Sequence, residues 1–204
     1  MAKFDPDIMS YFSAPISPYR VGDHYVPASL GPSQTVHIEN VAEMIRSYEN
    51  LRKLTEQVRK APDMRGAKSR MLPYVTPMGV FSKRNSLSII SSSGLAVIDF
   101  DKAEPDFDLC AAKRHIFDAY PHLVRLAFTS PSGKGLKFFV ELGGDVTCME
   151  ARLWENMFHG INAYLAQDFP NQFNLDEAGK DVCRACFLCH DPDVLYRDKC
   201  EPYR

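Results

Sequence analysis

The sequence lacks the features that would place it at once in a familiar functional class. No apolar run approaches the roughly 18 residues that a membrane-spanning helix needs, and the first residues do not have the pattern of a secretory signal. There is no P-loop and no other ATPase motif, and no internal repeat. We therefore expect a cytoplasmic protein with no membrane partner and with no ATP-driven motor in this stretch of chain.

The sequence also has little excess charge of either sign. The 24 Lys and Arg residues nearly balance 26 Asp and Glu, and the formal net charge is −2. This balance gives no support for strong overall attraction to nucleic acid. However, nine basic residues against two acidic ones fall between residues 52 and 84. That local excess fits contact with a phosphate backbone, or simply a solvated helix face followed by a basic loop.

Apolar periodicity predicts a mixture of helices and strands without strict alternation of the two. The helical candidates are residues 40–60, residues 109–121 and a stripe from Trp154 to Leu165. The strand candidates are residues 9–16 at a sheet edge, 94–101, 123–128, 137–142 and 182–188, with a hairpin-like stretch at 71–90. We expect an α+β fold with a mainly antiparallel sheet backed by helices. Residues 1–204 would form one domain on which an N-terminal extension, residues 1–36, packs.

The most informative segment is the strand candidate at 94–101, because it ends in two acidic residues separated by one Phe. Side chains on a strand alternate between its faces, so Asp99 and Asp101 should project from the same face about 7 Å apart. Two carboxylates so placed repel each other unless a cation lies between them, and oxygen ligands suit Mg²⁺ or Mn²⁺. The alternative is a strand that runs into a solvated acidic turn.

A second candidate for chemistry is the loop that joins the strand candidates at 123–128 and 137–142. Glycines let backbone amides approach a ligand, and hydroxyl and ammonium groups can bind phosphate oxygens. The residues in question are Ser130, Ser132, Gly133, Lys134 and Lys137. The same composition is also typical of an ordinary hairpin turn.

The third candidate is a lone acid, Asp176, followed eight residues later by Arg184 within an apolar run. A guanidinium is costly there unless it meets a carboxylate or a phosphate. The alternative is an Arg at a strand edge paired with Asp181 or Asp191.

The spacing of Cys183, Cys186 and Cys189 raises the question of an iron–sulfur or zinc site. On a strand, residues three apart point to opposite faces, so we interpret these cysteines as small buried thiols that stay reduced.

Four segments in this order resemble a known family. The family is the primase-like N-terminal domain of bacterial and phage replication proteins, of the VirE-N or primase–helicase N-terminal type, a branch of the archaeo-eukaryotic primase superfamily. The segments that carry the resemblance are residues 72–81, 93–101, 128–137 and 181–192.

The resemblance implies an RRM-like catalytic core that uses Mg²⁺ or Mn²⁺ to join nucleoside triphosphates on a single-stranded DNA template. Asp99 and Asp101 match the superfamily's metal-binding pair, and Asp176 matches its third acid. Lys137 stands where the superfamily has a histidine, so this phosphate-binding motif departs from the pattern. The implied setting is replication of a bacterial chromosome, mobile element or phage, with a helicase as a separate partner or as a C-terminal part of a longer chain.

Two other functions stay open at this point. One is a catalytically weak or inactive nucleic-acid-binding module that assists a replicative helicase, which the replacement of histidine by Lys137 favours. The other is a phosphatase of the haloacid dehalogenase type with an Asp nucleophile, which would need a doubly wound parallel sheet. The lack of βαβ alternation argues against the phosphatase.

Overall fold

The computed structural model describes residues 3–101, 106–145 and 150–201, and these residues form an α+β fold, as the sequence predicts. The helices are α1 (Ile38–Ser47), α2 (Glu49–Lys60), α3 (Met64–Met71), α4 (Leu109–Ala119) and α5 (Ala151–Ala166). The strands are β1 (Lys3–Phe4), β2 (Ile8–Phe12), β3 (Tyr19–Val21), β4 (His24–Val26), β5 (Gln34–His37), β6 (Tyr74–Thr76), β7 (Gly79–Phe81), β8 (Ile89–Ser92), β9 (Leu95–Asp101), β10 (Val124–Thr129), β11 (Leu136–Glu141), β12 (Asn174–Leu175), β13 (Cys186–Phe187) and β14 (Leu195–Tyr196). None of the helices within the described ranges is long and apolar enough to cross a membrane.

The largest sheet has five strands in the order β12-β9-β11-β10-β14, and every pair of neighbours is antiparallel. The hairpin of β10 and β11 and the long strand β9 form its centre. In the register between β9 and β11, Lys137 lies directly opposite Asp99. This pairing brings together two of the residues that the sequence analysis selected.

A second sheet has the order β13-β6-β2-β5 and is also antiparallel. The sequence interpretation of residues 9–16 as an edge strand is wrong, because β2 lies between β5 and β6. Strand β2 also contacts the neighbouring sheet, because the Ser10 hydroxyl accepts a hydrogen bond of 2.9 Å from the Phe81 amide on β7. A smaller sheet, β1-β8-β7, and the hairpin β3-β4 complete the strands.

Strand β9 separates two apolar cores. Ala96, Ile98 and Phe100 pack with residues of α4 and α5 on one face. Leu95 and Val97 pack on the other face with α1, α2 and the second sheet. The strand is thus covered on both faces, which is why its sequence reads as a continuous apolar run.

The predicted helix at 40–60 is in fact two helices that meet at Tyr48. This residue has an extended backbone, with φ −70° and ψ 111°, so the helical hydrogen-bond ladder is interrupted there. Ile45 before the break and Leu51 after it are both buried. Apolar periodicity alone did not reveal the break, because both helices bury their apolar faces in the same core.

The predicted strand at 182–188 is largely wrong, since only the two residues of β13 pair. The preceding residues turn, because the Asp181 carboxylate accepts a hydrogen bond from the Cys183 amide and the Asp181 carbonyl accepts one from the Arg184 amide. Strand alternation therefore does not govern the three cysteines. All three are buried free thiols, and burial raises the pKa of both Cys186 and Cys189 to about 12.

Asp191 links elements that are distant in sequence. Its carboxylate accepts hydrogen bonds of 2.7 Å from the Lys113 ammonium on α4 and of 2.7 Å from the Thr129 amide at the end of β10. Its own amide donates to the Ile45 carbonyl on α1. Burial alone would raise the pKa of Asp191, but the hydrogen bonds from Lys113 and Thr129 outweigh it and lower that pKa.

We expect Asp191→Ala to destabilise the fold by about 3–5 kcal/mol, because it leaves the Lys113 ammonium buried without a counter-charge. Urea unfolding followed by circular dichroism measures this loss. The matched control is Asp193→Ala, since Asp193 is an exposed neighbour of the same type, and we expect less than about 0.5 kcal/mol there. Equal losses for the two variants would contradict the role given to Asp191.

Candidate functional site

A cleft of about 220 Å³ opens where β9 ends, on the face of the central sheet that carries Asp99 and Asp101. Four acidic and four basic side chains line it, so the cleft is formally neutral without a ligand. The acids are Asp99, Asp101, Asp176 and Asp181, and the bases are Lys68, Arg84, Lys137 and Arg184. Uncharged lining comes from Ile16, Ser130, Pro131, Ser132, Ala185 and Phe187.

The deepest charges in the cleft are those of Asp99 and Lys137, which are 3% and 8% exposed. The Lys137 ammonium donates to the Asp99 carboxylate across the two paired strands. Burial alone would lower the pKa of Lys137, but the contact with Asp99 outweighs it and raises that pKa. Lys137 is therefore held as an ammonium ion, and the Asp99 carboxylate is its counter-charge.

Asp101 projects into the cleft from the same face as Asp99, as the strand alternation predicts. Among the described residues, no side chain forms an ion pair with the Asp101 carboxylate. Burial, and then the charge of Asp99, raises the pKa of Asp101, while Lys137 opposes the shift. Gly135 allows this close packing, because a Cβ there would collide with the backbone of Phe100 and Asp101.

Asp176 reaches the cleft through β12, which pairs with the end of β9, and the Asp176 amide donates to the Asp99 carbonyl. One Asp176 carboxylate oxygen accepts from the Ala178 amide at 2.9 Å, and the other accepts from the Arg184 guanidinium. The same guanidinium lies 3.7 Å from the Asp99 carboxylate. Arg184 thus pairs with Asp176 and Asp99, and not with Asp181 or Asp191.

The loop between β10 and β11 borders the cleft through Ser130 and Ser132, whose hydroxyls lie 3.0 Å apart. The loop closes on itself, since the Ser130 amide donates to the Gly135 carbonyl, and Gly133 has a φ of +71°. Gly133 and Lys134 are not among the lining residues, and the Lys134 side chain is exposed. The loop therefore brings its hydroxyls to the cleft and β11 brings Lys137, whereas Lys134 is exposed.

Three basic residues that the sequence analysis did not single out belong to this site. Lys68 from α3 and Arg84 from the β7–β8 connection line the cleft. Arg59 from α2 donates to the carbonyls of Pro131 and Ser130 and so holds the loop in place. The signal for all three was the basic excess between residues 52 and 84, but sequence alone did not show which members reach the cleft.

The acidic residues fit a divalent cation only in part. The part of the chain that is described contains no group of three or more Asp, Glu, His or Cys side chains placed to hold a metal ion. Asp99 is paired with Lys137 and Asp176 with Arg184, whereas Asp101 faces the cleft without such a partner in the described residues. This arrangement fits one Mg²⁺ or Mn²⁺ held by one carboxylate together with ligand oxygens and water. It does not fit a three-carboxylate set.

A family model described as the BT4734-like N-terminal domain matches residues 66–196, which is more than half of the chain. The chain belongs to this family. The match contains all eight charged residues that line the cleft. No curated protein and no solved structure matches the chain. The family name gives no activity, whereas the cleft has a definite chemistry.

We expect Asp101→Asn to stabilise the protein at pH 7 in the presence of a chelator. A carboxyl whose pKa is raised by folding contributes most stability below its unfolded pKa, which is close to 3.8, and that contribution is lost as the pH rises through the folded pKa. At pH 7 the Asp101 charge is therefore a cost that the amide removes. A thermal melt should show a higher midpoint for the variant, and the difference should shrink as the pH falls toward 4.

The control for this melt is Asp198→Asn, an exposed residue beyond β14 that should leave the midpoint unchanged. A lower midpoint for Asp101→Asn at pH 7 would contradict the assignment of Asp101 as an uncompensated charge.

Proposed function

We propose that this domain is a metal-dependent nucleotidyltransferase of the primase–polymerase type, which joins nucleoside triphosphates on a single-stranded DNA template. The observation that carries the proposal is the cleft itself, which combines the acidic end of β9 with hydroxyl, ammonium and guanidinium groups suited to phosphate. The resemblance of four segments to primase-like replication domains supports the same function and suggests a role in replicating a chromosome, mobile element or phage.

In this proposal Asp101 holds Mg²⁺ or Mn²⁺, with Asp99 and Asp176 close by. A bound divalent cation would supply charge stabilisation at the reacting phosphate and lower the pKa of the attacking hydroxyl. The chain's own residues position the substrate. Lys68 and Arg84, which come from elements outside the central sheet, supply positive charge for the triphosphate, and the Ser130 hydroxyl supplies a hydrogen-bonding group.

Lys68 is well placed to bind the triphosphate, because its ammonium forms no ion pair with a carboxylate in the described part of the chain. Its ammonium lies 5.3 Å from the centre of the Phe187 ring. Burial, and then the nearby Lys137, lowers the pKa of Lys68, so a negatively charged ligand would be favoured there. Phe187 and Ile16 supply the apolar surface on which a nucleobase would pack.

A route for the single strand continues from the cleft into a neighbouring cavity of about 280 Å³, which shares Ile16 and Arg84 with it. Lys83 and Leu30 also line this cavity, and Leu30 is 75% exposed. A basic groove with exposed apolar side chains suits a single strand, because phosphates bind the cations while bases pack on the apolar groups.

One observation favours the second candidate, a non-catalytic module that grips single strands and assists a helicase. The ion pairs of Asp99 with Lys137 and of Asp176 with Arg184 leave fewer free carboxylates than a two-metal polymerase site would use. Such a module would keep the basic groove but have no need of the charge of Asp101.

Primer synthesis separates the two candidates. We expect the wild type to join labelled nucleotides into primers on single-stranded DNA with Mn²⁺ or Mg²⁺. Asp101→Asn should lower the rate of primer synthesis on the order of 100-fold or more, equivalent to about 2.7 kcal/mol. Asp198→Asn serves as the control. If the wild type binds single-stranded DNA but makes no product with either metal, the enzyme proposal fails and the binding module replaces it.

The DNA route has its own test. We expect Lys83→Gln to weaken binding of single-stranded DNA and to reduce the slope of log affinity against log salt by about 0.7, because one phosphate contact is lost. Fluorescence anisotropy across a salt series measures both quantities. Lys199→Gln is the matched control, since Lys199 lines a separate cavity beside Gly94 and Glu141, at the opposite end of β9 from Asp101. Equal effects of the two changes would place the strand elsewhere.

A further inference from the structure

We propose that the Lys137 ammonium is a built-in cation that takes the position a metal ion would otherwise occupy at Asp99. The cleft would then use a single divalent cation, held through Asp101, and Asp99 would not be a metal ligand. This inference deepens the proposed function and rests on it for the identity of the ligand. It concerns residues of this chain whose arrangement can be tested without any turnover.

The first support is the fixed position of Lys137. The residue lies within β11, in register with Asp99 on β9, and the side chains are only 10% and 4% exposed. Phe138 and Phe139, which follow Lys137 on the same strand, are fully buried in the two cores. The backbone of Lys137 is therefore held by packing on both faces, and its ammonium does not need a ligand to bring it to the carboxylate.

The second support is the distribution of positive charge. Besides Lys137 on one Asp99 carboxylate oxygen, the Arg184 guanidinium lies 3.7 Å from the other. Arg184 also donates to Asp176. Because Arg184 is shared with Asp176, Lys137 is the cation whose described ion pair is with Asp99 alone, and a divalent ion at Asp99 would be repelled by its ammonium.

The third support is the contrast with Asp101. It shares the strand face of Asp99, yet no ion pair with it is found in the described ranges, and it lines the open cleft. A single cation at Asp101 can complete its shell with triphosphate oxygens and water, as Mg²⁺ commonly does. An ammonium paired with Asp99 agrees with the absence of a three-carboxylate metal group among the described residues.

The experiment measures Mn²⁺ binding to the full chain by isothermal titration calorimetry and by electron paramagnetic resonance of free Mn²⁺. We expect the wild type to bind one Mn²⁺. Asp101→Asn should weaken that binding at least about tenfold, whereas Asp99→Asn should change it by less than about threefold. Lys137→Met should expose the Asp99 carboxylate and add a second Mn²⁺.

The matched control is Lys68→Met, which removes one positive charge from the same cleft but no ion pair with a described carboxylate. It should leave the stoichiometry at one Mn²⁺. Circular dichroism checks folding of each variant. If Lys137→Met does not fold, the comparison of Asp99→Asn with Asp101→Asn decides by itself, since neither removes a cation.

Four results would overturn the inference: no Mn²⁺ on the wild type, two Mn²⁺ ions on the wild type, loss of Mn²⁺ binding in Asp99→Asn, or no added Mn²⁺ in a folded Lys137→Met. Failure of the proposed function looks different. If the expected Mn²⁺ pattern holds but no primer is made, the built-in cation stands and the nucleotidyltransferase falls. If primer is made and Asp99→Asn loses Mn²⁺, the enzyme stands and the built-in cation falls.

Discussion

Asp99 carries its charge on a strand that is covered on both faces, and the cost of burying that charge governs the arrangement around it. A buried carboxylate needs a cation and hydrogen-bond donors within reach. The antiparallel register supplies Lys137 from the adjacent strand, and the turn before β13 supplies Arg184. Asp99 therefore lies among charged groups where the cleft opens at the end of β9.

The cleft lies between the central sheet and elements outside it, and these contribute different kinds of chemistry. The central sheet supplies the acids Asp99 and Asp101 and, through β12, leads into Asp176. Most of the cations come from elements outside that sheet, among them α3 with Lys68. Arg184 pairs with Asp99 and Asp176, and so joins the turn before β13 to the central sheet.

The sequence was sufficient for features that depend on local alternation and insufficient for those that depend on long-range pairing. The period of two in residues 95–101 correctly placed Asp99 and Asp101 on one face, and the helical period correctly predicted α4. The break at Tyr48 was missed, because both helices bury apolar residues in the same core. The interior position of β2 and the arrival of Lys68 and Arg84 depend on tertiary contacts, for which a single sequence gives no signal.

The family match begins at residue 66, but the second sheet includes strands that come before that residue. Strand β2 lies between β5 and β6, and the Phe12 ring stacks on Tyr74 with centroids 4.8 Å apart. A shortened chain that kept only the matched residues would lose β2 and β5, which are two of the four strands of that sheet. Strand β2 is the one that pairs with β6. The stretch recognised by sequence similarity is therefore smaller than the set of strands that pair in the second sheet.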